Sequence, residues 1–478
     1  MLKKETKAVF GLFGIAVVLR SLPELLISRY PVGYETITYY LPSIYLTSLD
    51  STSSLLGLTA HLQFMSAHPP LMDTFRAGPF FYVLMWVFQA LTGDNGFLLL
   101  KVVAPILYGC LIASFFIFLR RGVNLDYKVA FLAAMLLIFQ PAALRESWDR
   151  FRTVLALTFL FMTLTASTSS RFKWPKVVAF GILTVLSRDY VGVILIVAIA
   201  GRAILEKKDR LASVLALLPS LAILFALFNP VWLEWNMLSA ENPFAVTGYA
   251  WVVLDVFSIF LFCFLPLLPF VVKGFWRNTL LDPIVGFLAL ASFWIIFLPW
   301  FSIPGYQRWL MLLVFPFCIY TAVGLQRLHL GKNKTRAVVA FVLAFVVIGV
   351  GYATGTYSYI GIVSNSYVPT GLTQSSIAWS QVDDVKIALT WLVNNGRENG
   401  TLLVEERFYG WSLIFLEPLK HDVKIEVYGA NRSFEPQLQN AIREGSGEIY
   451  LIWYSGTSPQ NFLAVHSQGD ICIFEYSV

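Results

Sequence analysis

Charge is what this chain lacks most. Asp, Glu, Lys and Arg together make up 13% of its 478 residues, against roughly 25% in soluble domains. With 57% hydrophobic residues and a mean hydropathy of +0.68, that scarcity excludes a soluble globular chain and identifies an integral membrane protein. Cysteine is also sparse. Cys110, Cys263, Cys318 and Cys472 lie far apart with no C-x-x-C, so no disulfide framework can be read. Five histidines without an H-E-x-x-H pattern give zinc chemistry no support. No D-x-D pair occurs, and no internal repeat of the kind that builds inverted-repeat transporters is visible. The formal net charge of +6 is dispersed in short clusters, which is not a nucleic-acid footprint.

What is present is hydrocarbon-seeking sequence. Apolar runs cover about 8–27, 79–92, 97–119, 128–143, 153–168, 176–187, 190–205, 211–228, 250–272, 280–300, 308–325 and 336–355. Many approach the roughly 20 residues a helix needs to cross a bilayer, and none shows the period-two alternation of a β-barrel. The run from Ala8 is read as a first span, because no A-x-A-like cleavage site follows it. Basic clusters at Lys3-Lys4, Arg120-Arg121, Arg171–Lys176, Arg202–Arg210, Lys273–Arg277 and Arg327–Arg336 fall between runs, which orients the chain by the positive-inside rule. All of them face the cytoplasm if 79–92 is an interfacial or re-entrant helix. The expectation is therefore an α-helical polytopic membrane protein with about eleven transmembrane helices, a cytoplasmic N-terminus and an external C-terminus. Residues 1–355 form the membrane domain, with a large first external loop over 29–96. A linker over 356–380 leads to a small extracytoplasmic α/β domain over 381–478. The tail from Gln374 carries 7 basic and 13 acidic residues, the opposite balance from the rest.

The external loops hold the candidate chemistry. Arg29 to Pro70 is a polar, Tyr-rich stretch between two apolar ones, and a carboxylate at the mouth of a membrane bundle is costly unless used. Glu35 follows Gly33 and Tyr34, with Thr36, Tyr39 and Tyr40 supplying surface that stacks on and hydrogen-bonds to sugars. The plain alternative is an acid capping the next helix. Asp149 lies in a loop crowded with Arg145, Glu146, Arg150 and Arg152, whose plain alternative is a self-neutralised surface turn. Arg308 and Arg188 offer planar guanidinium forks suited to phosphate, though arginines at span ends also serve as anchors. His68, before Pro69-Pro70, either meets substrate or only marks where the chain re-enters the membrane. The loop from Asn229 to Tyr249 offers aromatic residues that could line a groove, and Asn399 and Asn431 begin N-glycosylation triplets.

Taken in order, Gly33-Tyr34-Glu35, the HPPL of His68 to Leu71, Ser147-Trp148-Asp149, Arg308-Trp309 and the external tail resemble the GT-C class of membrane glycosyltransferases. That class holds the protein O-mannosyltransferases, aminoarabinose transferases and oligosaccharyltransferases. The resemblance covers about 350 residues. It implies a polyprenyl-phosphate sugar donor, a lipid, glycan or protein acceptor, an external active site and an inverting displacement. On it, Glu35 is the base and Asp149 the second acid, orienting acceptor or metal. Arg308 binds the leaving lipid phosphate, with Arg188, Arg152, His68 and Tyr39 as further substrate contacts. A divalent cation is possible as cofactor. The first acid is Glu where the class usually has Asp, and the W-W-D-Y-G signature is missing, which favours transfer of a single sugar or small unit. The alternatives are a polytopic transporter or lipid flippase, with mid-membrane charge such as Asp255, and a non-catalytic scaffold.

Overall fold

The structure, a computed structural model, describes residues 2–50, 62, 66, 69–93, 96–168, 173–206, 210–227, 246–297, 306–328, 334–355, 368–396, 400–416, 423–429, 433–445, 447–455 and 459–477. The chain begins with α1 (Leu2–Leu26), a π-helical turn (Thr36–Tyr40) and α2 (Leu41–Asp50), followed by α3 (Pro69–Arg76) and α4 (Pro79–Thr92). The bundle continues with α5 (Phe97–Ile117), α6 (Tyr127–Phe139), α7 (Pro141–Asp149), α8 (Phe151–Thr168), α9 (Lys173–Ser187), α10 (Asp189–Leu205) and α11 (Arg210–Leu227). It closes with α12 (Val246–Phe264), α13 (Leu268–Gly274), α14 (Asp282–Phe297), α15 (Tyr306–Leu312), α16 (Val314–Gln326) and α17 (Lys334–Thr354).

Among the described residues seven helical stretches are long and apolar enough to cross a membrane: Lys4–Leu26, Phe97–Gly122, Phe151–Thr168, Arg210–Leu227, Val252–Gly274, Gln307–Gln326 and Thr335–Thr354. An eighth exists if α6 and α7, bent 61° apart, count as one span. The expected eleven are not reached on that criterion. The helices α9, α14 and α10 have 15, 16 and 17 residues, so at 1.5 Å per residue they are only ~22–26 Å long, below the ~30 Å of a hydrocarbon core. Large apolar side chains stand out around the bundle, among them Phe10, Leu25, Leu211, Phe225, Phe297 and Val347. A surface of that kind has lipid as its solvent.

Antiparallel packing of α1 and α5 sets the frame. At one end Lys101 Nζ donates to the Ser28 carbonyl at 3.3 Å, and at the other Arg120 Nη2 meets Glu5 Oε1 at 3.0 Å. The helix α4 has the bounds expected for the interfacial helix, with Pro79 at its first position and Gly93 closing it in the left-handed conformation at φ 67°.

The tail forms an α/β unit: α18 (Val382–Asn395), β1 (Thr401–Glu405), α19 (Glu406–Leu416), β2 (Lys424–Tyr428), α20 (Glu435–Arg443), β3 (Ile449–Tyr454), β4 (Phe462–Gln468) and β5 (Ile471–Tyr476). The sheet order is β2-β1-β3-β5-β4, with β1 parallel to β2 and β3, and β5 antiparallel to β3 and β4. Apolar alternation on β1, β3 and β5 covers one face with α20 through Leu403, Leu451, Phe474 and Leu438. The segment 368–377, expected as part of a linker, is a buried strap. Gly371 O accepts from Arg145 Nε at 2.9 Å, Leu372 O from the Tyr352 hydroxyl at 2.5 Å, and Gln374 O from the Gly33 amide at 2.8 Å.

Candidate active site

Two interruptions of regular helix build the site. The first is Gly33, at φ 135°, a conformation a β-carbon disfavours. A β-carbon there would also lie 2.6 Å from Thr36 Oγ1 and collide with the Trp148 carbonyl and Asp149 Oδ1. From Gly33 the chain enters the π-turn, a rare geometry found mostly at functional sites, and Thr36 Oγ1 donates to the Trp148 carbonyl at 2.6 Å. The second interruption is Gln140-Pro141. Proline cannot continue α6. Gln140 caps the new helix, its Oε1 accepting from the Ala142 amide at 2.6 Å and its Nε2 donating to Cys263 O at 2.8 Å.

The bend turns α7 into the protein, and all nine of its residues are buried. The charged external loop expected over 144–152 is therefore corrected: the stretch is a buried helix running into α8. Four-residue spacing pairs its charges, Arg145 with Asp149 and Arg150 with Glu146. Burial of this kind demands such partners.

Glu35, unlike Asp149 and Glu146, is not wholly buried. Its Oε1 lies 3.3 Å from Arg308 Nη2 and 3.6 Å from Arg150 Nε, and its side chain keeps 15% of its surface exposed. Burial pushes its pKa up, but Arg308, Arg150, Arg188 and Arg152 outweigh that and lower it to about 2. Asp149 is different. Its carboxylate is wholly buried, paired with Arg145 and set against Gly33, so it adjoins the Glu35 segment without facing solvent.

The arginines divide into anchored and open. Arg152 is spent on the first loop: Nε donates to the Tyr40 hydroxyl at 2.9 Å, Nη1 donates to the Thr74 carbonyl, and the guanidinium lies over the Tyr40 and Tyr82 rings. Arg188, just before α10, is buried with its Nε 3.6 Å from Asp189 Oδ1 and its guanidinium 4.9 Å from the Tyr190 ring centre, and its Nη1 has no hydrogen-bond partner among the described residues. Arg308 is the most accessible of the set, at 32%. Beside it Gln307 donates to Asp255, which is held at this rim instead of standing alone in the membrane. Tyr39 is half-buried on the π-turn, and burial, helped by Glu406 and Glu35, holds its hydroxyl protonated well above the usual range.

The tail completes the enclosure. Helix α19 lies on the π-turn so closely that a β-carbon on Gly410 would come within 2.7 Å of both the Ile37 carbonyl carbon and Thr38 Cα. Trp411 stacks edge-on against Tyr30 at 5.1 Å and donates to Ser376 Oγ at 3.2 Å.

Glu35, Asp149, Arg308, Arg188, Arg152 and Tyr39 thus converge, while His68 lies outside the described residues, as do positions 229–245, 399 and 431. In the sequence Arg150, Arg145 and Glu146 form a crowd of charge; on a helix, RESWDR sets them at pairing distance. Among the described residues no three His, Cys, Asp or Glu side chains gather as a cation site. The two acids each face guanidinium groups, a setting that repels a divalent cation, so the residues do not fit one.

No protein-family profile matches this sequence, and no curated protein matches it. Among solved structures the chain is similar to the cryo-EM structure of the arabinofuranosyltransferase AftD from Mycobacteria, at 11% identity and a TM-score of 0.44, over 82% of this chain and 34% of that one. The chain spans about a third of that protein's length, and the score is below the level that establishes a shared fold.

Proposed function

We propose that this protein is a membrane glycosyltransferase of the GT-C type that moves a sugar from a polyprenyl-phosphate donor to an acceptor hydroxyl at the external membrane face, with inversion. The observation that carries the reading is the part-exposed carboxylate of Glu35 set among guanidinium groups that outnumber it, at the rim of an apolar bundle. Glu35 takes the proton of the acceptor hydroxyl as its oxygen bonds to the anomeric carbon. The bond from that carbon to the phosphate oxygen breaks on the opposite face, and its electron pair leaves with the phosphate. Arg308 and Arg188 receive the anion, as guanidinium forks suit phosphate oxygens. Asp149 acts as a positioning residue through Arg145 and the Gly33 turn. A transporter reading would be served by an isolated charge within the membrane; Asp255, bonded to Gln307 beside Arg308, supports the enzyme instead.

Cells lacking the gene, complemented with wild-type protein or Glu35→Gln, test this. Wild type restores the missing surface glycan and clears the accumulated polyprenyl-phosphate sugar. Glu35→Gln, inserted at equal level, leaves transfer lower by ~10²–10⁴-fold, the worth of a positioned base. Restoration by the variant would reject the assignment.

A further inference from the structure

We propose that Glu35 stands in for the donor's phosphate on Arg308 in the ligand-free protein, so that the anionic lipid must bind first and release the carboxylate before an acceptor hydroxyl can use it. This rests on the function proposed above and adds an order to it.

The four guanidinium groups are not equivalent. Arg150 is fixed from behind by Glu146 and by a 3.7 Å contact to Met311 Sδ, and Arg152 by Tyr40 and Thr74. Arg188 keeps a buried N–H without a partner among the described residues. Arg308 is tied to the site through Glu35, by one 3.3 Å contact from one carboxylate oxygen. An arriving phosphate finds an open donor on Arg188 and, on Arg308, a carboxylate already in place. Two anions on one guanidinium repel, and the donor's phosphodiester, which carries a single charge like the carboxylate, displaces it because its second free oxygen can also take the open N–H of Arg188. Glu35 then keeps only its 3.6 Å contact with Arg150.

The chemical consequence is coupling. While the arginines are free of other anions they hold Glu35 as a weak base. Once their charge is met by phosphate, the carboxylate regains affinity for a proton when the reaction needs it. A neutral acceptor binding first gains no such base. The arrangement also guards the donor, because the base becomes competent only with the leaving group seated.

The test is equilibrium binding of polyprenyl phosphate to the full chain in neutral-lipid nanodiscs, comparing wild type with Glu35→Gln, which keeps the side chain's size. If Glu35 competes with phosphate, the variant binds roughly threefold to tenfold more tightly although it is inactive. Glu35→Asp, shorter by one methylene but still charged, should fall between the two, and it preserves the comparison if Glu35→Gln fails to fold. Equal or weaker binding by both variants overturns the proposal and leaves the donor reading intact. Absence of binding to any of the three proteins, or tight binding of inorganic phosphate with none of the lipid, overturns the proposal together with the lipid-donor reading.

Discussion

In the proposed reaction the chemistry rests on a carboxylate and a guanidinium separated by 273 positions. No local pattern connects Glu35 to Arg308; each was legible alone, as an acid after a turn and an arginine at a span's start, and only the fold shows that they meet. The pairing has a pH signature. Because the folded pKa of Glu35 is lowered from 4.5 to about 2, the ionised side chain stabilises the folded state above the ordinary carboxylate range. That contribution is lost as pH falls from about 4.5 through 2. With Glu35 as the proposed base, the acid limb it gives kcat/KM for the donor, which reports the free enzyme, lies at the bottom of the workable range. Removing one positive neighbour leaves burial less opposed, and burial raises the pKa. In Arg308→Gln the acid limb of kcat/KM should therefore shift to higher pH, measured as a full pH profile so that the shape is separate from the lower rate. An unmoved limb would mean that Arg308 does not tune Glu35.

At the scale of elements, the site depends on close approaches that only small residues permit. Gly410 in α19 is one: a β-carbon would strike the backbone of Ile37 and Thr38, and neither can yield as a side chain would. Gly410→Ala should therefore cost about 1–3 kcal/mol of stability, the range for overpacking, and should depress transfer while the bundle still inserts. Gly447, with nothing within 4 Å of its own β-carbon position, supplies the control, and its alanine variant should behave as wild type. The measurement is thermal unfolding beside transfer activity for both variants, and equal melting temperatures would show that α19 does not press on the π-turn. These elements were unequally legible. Helix α4 was readable because proline and glycine punctuate its ends, and the segments TLLVEE, KIEVYG, EIYLIWYS and DICIFEYS were readable as strands. Helix α19 was not, since nearly every residue from Arg407 to Leu416 is buried and no polar face gives it a helical period. Helix α7 is hidden in the sequence because its charges read as a loop until their four-residue spacing is placed on a helix face.

For the whole molecule, composition sufficed to make it a membrane protein, but the number of crossings turns on short helices that length alone rejects. Contacts at the two ends of the bundle bear on this. Glu5 meets Arg120, Thr168 Oγ1 donates to the Arg121 carbonyl at 3.2 Å, Arg202 Nη1 to the Ser167 carbonyl at 3.3 Å, Thr279 to Glu206, and Arg327 Nη1 to the Lys273 carbonyl at 3.2 Å. These basic, loop-flanking contacts gather at the end that holds α1's start. At the opposite end Ser28 accepts from Lys101, the Asp189 amide donates to the Ala77 carbonyl, and the tail sits on the first loop. With α1 as a full crossing, a tail that rests on the first loop predicts an odd number of crossings. Eleven crossings would need α6 with α7, α12 with α13 and α15 with α16 to count as single passages and the short α9, α10 and α14 to cross as well, whereas seven or eight of the described helices meet the length criterion. At the junction of the short α9 and α10 protein surrounds the chain, and Ser187, Arg188, Asp189 and Tyr190 are buried there, while Ile204 and Leu205 at the far end of α10 are exposed. Protease protection in sealed, oriented membrane vesicles with a tag at each terminus checks the parity. The N-terminal tag and the 327–334 loop should be reached from one side and the tail from the other. Both termini on one side would break the docking of tail on loop that encloses Glu35, and with it the placement of the site at the external face.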